Sequence, residues 1–177
     1  VWLSLICPDS HTCTLGGLGA LAWGVGSTEA EHALATSTLR VTRPQTMRVS
    51  FAGVLNEGVS AKDLILFTIR ELSASGGAGY AIEFAGPAIE ALPVEARLTL
   101  CNMTTELSAF TGLIAPDQKV LDYCAGRRYA PQAEVWHQAN QHWQSLRSDE
   151  GAAFDQEHHF DIGSLKPQLS WGTSPHH

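Results

Sequence analysis

The chain has 177 residues, 44% of them apolar and only 16% charged, with a formal net charge of −7. That composition can fill a core, which excludes a disordered chain, and the length suits one good domain or two small ones. The 11 Lys and Arg are scattered, so no basic face for nucleic acid is expected. No apolar run reaches membrane-spanning length before Gly, Ser, Glu or Pro interrupts it.

In chain order, "WLSLI" suits a short buried strand, and "CPDSHTCT" reads as a loop because Pro8 cannot donate to a ladder. "LGGLGALAWGVG" is small and apolar, and is expected to be a tightly packed helix. Thr28 and Glu31 form a capping-box pattern that predicts a helix from about Glu29 to Leu39. "RVTRPQT" is a connector, and "MRVSFAGVL" alternates as a strand does. Ser60 and Asp63 cap a predicted helix whose apolar face is Leu64, Ile65, Phe67, Ile69 and Leu72. "SASGGAG" breaks the chain, and "YAIEFAG" is the next strand. "AIEAL" and "VEARLTLCNMTTELSAF" read as helical on either side of Pro93, and "GLIAPD" as a strand ending in a turn. From Gln118 the texture changes, with a peripheral helix in "EVWHQANQHWQSL" and short strands at "HHFDI" and "QLSWG". The β-α-β-α order from 46 to 116 predicts a layered α/β fold.

Few stretches carry chemistry. In "DSHT", Asp9, Ser10 and His11 stand in a row at a strand end, where open α/β sheets place ligands. A nucleophilic triad is not expected there, since adjacent side chains should diverge, and a turn is the plainer reading. Neither "GGLGALAWGVG" nor "SGGAG" ends in GK[ST] or spells GxGxxG, so close packing explains these glycines better than phosphate binding. That also weakens a nucleotide-dependent oxidoreductase built on 46–116. Asn102 and Glu106 are four apart and would share one helical face, surrounded by Leu98, Leu100, Met103, Leu107 and Phe110; a cleft and a solvated stripe are both open.

His137 and His142 miss the i,i+4 spacing of a helical metal pair, His158 and His159 are adjacent, and His176 and His177 end the chain. No metal ligand is assigned. Cys7, Cys13, Cys101 and Cys124 show no CxxC, and are expected to be free thiols in a reducing, cytoplasmic compartment. The chain opens inside an apolar run without Met and reads as a piece of a longer protein.

Taken together, "DSHTCTLGGLGALAWGVGSTEAEHALAT", "RPQTMRV", "GVSAKDLIL", "GGAGYAIEFAGPAIEAL", "RLTLCNMTTE", "GLIAPD" and "SWGTSP" resemble the aconitase superfamily, in its isopropylmalate dehydratase large-subunit branch. The resemblance runs along nearly the whole chain. It implies an aconitase-like layered α/β fold with a parallel or mixed sheet flanked by helices, truncated at both ends. It divides the chain into residues 1–43 (the end of a first α/β domain, with the DSHT loop and the glycine-rich helix), 44–130 (a second α/β domain) and 131–177 (a helical segment and return strands).

It further implies a hydro-lyase that moves water between neighbouring carbons of a small hydroxy-diacid in leucine biosynthesis, using a [4Fe-4S] cluster and a separate small subunit. By motif, Asp9, His11 and Glu106 match catalytic positions, and Asn102 matches a residue beside the cluster. Ser10 and Thr12 read as loop-shaping neighbours. The cluster cysteines of the family lie in a CTN-type motif and a later CxxC, neither of which occurs here. The chain alone is therefore expected to be inactive, and to expose apolar surface that favours self-association. A related hydratase of another small hydroxy-diacid, of methylmalate or homoaconitate type, and a non-catalytic assembly module are the alternatives.

Overall fold

The computed structural model describes residues 3–175. Two sheets form, and every strand pair in them is parallel. The smaller joins β1 (Ser4–Cys7) to β2 (Leu21–Gly24). The larger has the order β5-β4-β3-β6, from β3 (Gln45–Ala52), β4 (Tyr80–Ala85), β5 (Thr111–Leu113) and β6 (Gln156–Asp161). The α/β class expected from the sequence is therefore the class observed.

Alternation places Met47, Val49 and Phe51 of β3 on one face, all buried, and Arg48 and Ser50 on the other. Ile82 and Phe84 of β4 extend the apolar face. An aromatic row crosses the strands, with Phe51 between Phe84 (centroids 6.4 Å apart) and Phe160 (5.9 Å). Each such pair adds about 0.5–1.5 kcal/mol beyond area burial. Against this face lies α2 (Ala61–Leu72), which buries Leu64, Ile65, Thr68 and Ile69. Its start is fixed as its sequence predicts: the Asp63 carboxylate accepts from both the amide and the hydroxyl of Ser60, each at 2.7 Å. Next come the short α3 (Pro87–Ala91) and α4 (Val94–Asn102), whose Leu100 and Cys101 close the same core.

Several local expectations are corrected. The predicted glycine-rich helix is a 3-10 turn, Thr12–Leu18, followed directly by strand β2. Gly19, at φ +79°, ends the turn. Gly16 and Gly17 do serve close packing, but of backbone on backbone. A Cβ on Gly17 would lie 2.7 Å from the Leu98 amide nitrogen, and one on Gly16 would overlap the carbonyl of Gly112. The helix expected at 29–39 is α1 (Ser27–Thr36), capped from Gly26, whose amide donates to Glu29 at 2.8 Å. With glycine at the cap, only the Glu29 half of a capping box exists. The long helix expected through Phe110 stops at Asn102 and tightens into a second 3-10 turn, Met103–Leu107, with Ser108 left-handed at φ 60°.

Beyond β5, Asp117 caps α5 (Gln118–Cys124), an unpredicted helix, and α6 (Ala133–Gln144) follows as expected. The strand expected at "QLSWG" does not form. That segment is tied down differently: the Gln168 amide donates to Asp63 at 2.7 Å. The expected membership of Trp2 in β1, and the final His176 and His177, lie outside the described residues. Among the described residues, no helix is long and apolar enough to cross a membrane.

The first segment seats on the edge of the larger sheet. The Ile114 amide donates to the Gly16 carbonyl at 3.0 Å, and the buried Thr111 hydroxyl donates to the Ala22 carbonyl at 2.6 Å. The buried guanidinium of Arg97 holds the neighbouring loop together, donating to the carbonyls of Leu92 (3.2 Å) and Glu90 (3.1 Å) and to the Asp117 carboxylate (2.6 Å).

Candidate active site

The DSHT loop leaves the carboxyl end of β1 and turns at once into the first 3-10 turn. Its shape comes from its own side chains. Asp9 Oδ1 accepts the His11 amide at 2.8 Å, the Thr12 hydroxyl donates to the Asp9 carbonyl at 2.6 Å, and the Thr14 hydroxyl donates to the His11 carbonyl at 2.6 Å. The turn reading of the loop therefore holds: it is an Asp-anchored turn, and its backbone sets where the imidazole stands.

The imidazole faces the CNMTTE segment. His11 Nε2 stands 3.8 Å from Glu106 Oε1, and the two side chains are 40% and 39% exposed. Both groups are open to solvent, and the gap exceeds a direct hydrogen bond. The other ring nitrogen, Nδ1, lies 3.0 Å from Ser10 Oγ. The expectation that adjacent Ser10 and His11 side chains diverge is therefore wrong, because the backbone bends at His11 (φ −99°, ψ 19°) and lets them meet. The result is a line from Ser10 through His11 to Glu106.

Asn102 reaches the same loop by another route, its Nδ2 donating to Thr14 Oγ1 at 2.9 Å. Asn102 and Glu106 do not converge by sharing a helical face, since α4 ends between them. The 3-10 turn carries Glu106 round to His11 instead. Of the four residues singled out from the sequence, His11 and Glu106 come together directly. Asn102 joins them through Thr14, and Asp9 through the His11 amide. Sequence reasoning missed Thr14 and Thr105. The Thr105 hydroxyl donates to the Ser10 carbonyl at 2.8 Å and lies 3.4 Å from the Cys13 thiol.

The cysteines do not form a cluster cradle. All four are free thiols; Cys13, Cys101 and Cys124 are buried and Cys7 is half-buried. Burial pushes the Cys101 thiol well above its ordinary range and raises that of Cys124, the reverse of what a thiolate ligand needs. Among the described residues no group of three or more His, Cys, Asp and Glu is placed to hold a metal ion. The residues present do not fit as ligands of an iron–sulfur cluster.

The whole chain, residues 1–177, matches the aconitase family (aconitate hydratase). The chain belongs to the aconitase family. Aconitate hydratase, the activity for which the family is named, is a hydro-lyase. The sequence is 57% identical over 173 residues to the 3-isopropylmalate dehydratase large subunit 1 of Bradyrhizobium diazoefficiens, an alignment covering 98% of this chain and 36% of that relative. The chain thus spans about a third of the length of the curated relative it matches. The DSHT and CNMTTE segments both fall within a family match that leaves no residue out.

Proposed function

We propose that this chain forms part of the large subunit of a hydro-lyase that dehydrates and rehydrates a small hydroxy-diacid of the isopropylmalate type. The observation that carries the reading is the approach of His11 to Glu106, 3.8 Å apart, from two motifs distant in sequence. Identity of 57% to an isopropylmalate dehydratase large subunit supports the substrate class. On the same reading the enzyme serves leucine biosynthesis in the cytoplasm and acts with a small subunit. The chain divides near residues 43 and 130, and the 177 residues alone are inactive.

The chemistry asks for proton handling. A hydroxyl leaves carbon as water only if it gains a proton while the neighbouring carbon gives up its own to a base, which is assigned outside these residues; rehydration reverses both transfers. The His11–Glu106 pair holds the proton for the hydroxyl, with Ser10 orienting the ring through Nδ1. Asp9 fixes where the imidazole stands by holding the His11 amide. Asn102 braces the loop from the far side. In this family a [4Fe-4S] cluster supplies Lewis acidity; here its ligands are assigned outside these residues, and no step is derived through it.

The test is turnover of 2-isopropylmalate by the assembled two-subunit enzyme containing this segment. His11→Asn and Glu106→Gln are each expected to lower kcat by about 10²–10⁴-fold, the usual contribution of a positioned acid or base. Unchanged kcat in both variants would remove the proposed roles. Turnover of a different diacid, with none of 2-isopropylmalate, would move the substrate assignment and leave the residue roles standing.

A further inference from the structure

Thr105 has no part in the reading above, yet it touches the DSHT loop at its centre. Its hydroxyl donates to the Ser10 carbonyl at 2.8 Å. The Ser10 carbonyl and the His11 amide belong to one peptide group, which is rigid and planar. The amide side of that plane is held by Asp9 Oδ1 at 2.8 Å. One plane is therefore gripped at both edges, by Asp9 from within the loop and by Thr105 from the second 3-10 turn.

We infer that Thr105 is a positioning residue, whose hydroxyl clamps the Ser10–His11 peptide and thereby sets the reach of His11 toward Glu106. This inference deepens the proposed function and rests on it. The peptide plane orients the His11 Cα, and with it the imidazole. Thr105 adjoins Glu106 in the same 3-10 turn, so the clamp joins both members of the pair through short, stiff backbone. The other restraints on the loop do not reach Glu106. The Thr14 hydroxyl holds the carbonyl on the other side of His11, and Asn102 acts only through Thr14. A valine at 105 would keep the branched shape and lose the donor. Ser10 is an exposed residue, so water is expected to take the place of the lost donor, and the fold survives while the orientation loosens.

The experiment uses the assembled enzyme and three versions of it: wild type, Thr105→Val and Thr105→Ser. Thr105→Val is expected to lower kcat by about fivefold to tenfold, the cost of one neutral hydrogen bond, with KM changed less than about twofold, as for a group acting in the transition state. Thr105→Ser keeps the hydroxyl and is expected to restore kcat. Independently of turnover, amide hydrogen exchange across residues 8–14 is expected to speed up in Thr105→Val and to return to the wild-type rate in Thr105→Ser, with exchange across 61–72 unaltered in both. Unaltered exchange across 8–14 in Thr105→Val would overturn the clamp. Faster exchange with kcat unchanged would overturn its bearing on turnover. Should the wild-type enzyme fail to act on any hydroxy-diacid, the proposed function falls and the exchange result still decides the clamp.

Discussion

Asn102 and Thr14 are joined by a single hydrogen bond, 2.9 Å long, in which the amide of Asn102 donates. Its polarity is fixed by the next bond along. The Thr14 hydroxyl spends its one hydrogen on the His11 carbonyl at 2.6 Å, so toward Asn102 it can only accept.

A carboxylate at 102 would consequently face an oxygen with no hydrogen to offer. Asn102→Ala is expected to cost about 1 kcal/mol, an ordinary lost hydrogen bond. Asn102→Asp is expected to cost more than Asn102→Ala, although aspartate is closer in shape. Urea unfolding of the two variants beside wild type checks the order. An aspartate variant as stable as wild type would mean that the Thr14 hydrogen points elsewhere.

Gly16 has backbone where a side chain would go. A Cβ there would overlap the Gly112 carbonyl, whose carbon lies 2.8 Å away. The neighbouring hydrogen bond from the Ile114 amide to the Gly16 carbonyl prevents the two segments from drawing apart without loss. Gly16→Ala is expected to destabilise by about 3 kcal/mol, the upper part of the usual overpacking range. Thermal unfolding measures it, and a shift indistinguishable from zero would show that the seam yields.

Acid should weaken the fold through Asp117. Burial pushes this carboxyl up, but the hydrogen bond and charge of Arg97 outweigh burial and hold it below the ordinary 3.8. A depressed native pKa contributes stability that is present above 3.8 and lost as pH falls from there through the lowered value. Asp63 adds a contribution of the same sign: burial again raises it, and its Ser60 and Gln168 hydrogen bonds prevail. Asp117→Asn is expected to cost about 3 kcal/mol near neutral pH, because it leaves the buried Arg97 charge without its counterion. It should also flatten the dependence of stability on pH below 4. A variant with the same acid limb as wild type would show that the loss originates in other carboxylates.

What could be read from the sequence was local. Ser60 and Asp63 announce α2 because both bonding partners lie within one turn. The alternation of Met47, Val49 and Phe51 announces β3 because one face of the sheet is fully buried and the other, with Arg48 and Ser50, only partly. The stretch "LGGLGALAWGVG" misleads for the opposite reason. Its glycines answer to Leu98 and Gly112, remote in sequence, and the four-residue strand inside it owes its form to pairing with β1. "QLSWG" alternates like a strand, but its amide at 168 is claimed by Asp63 instead of a ladder. In the candidate site, Asp9, His11, Asn102 and Glu106 were legible through their motifs. Thr14 and Thr105 were not, since a threonine's value as a donor depends on which carbonyl the fold brings to it.

The contact of Gly16 and Gly17 with Gly112 and Leu98 is made by main chain on main chain. Only a side chain added at the glycines themselves would disturb it. A side chain that projects from the loop can be exchanged without touching this contact, whatever the exchange does to chemistry at the loop's surface. The distance between loop and sheet edge is thus set by main chain alone, and it stays the same whichever side chains the loop displays.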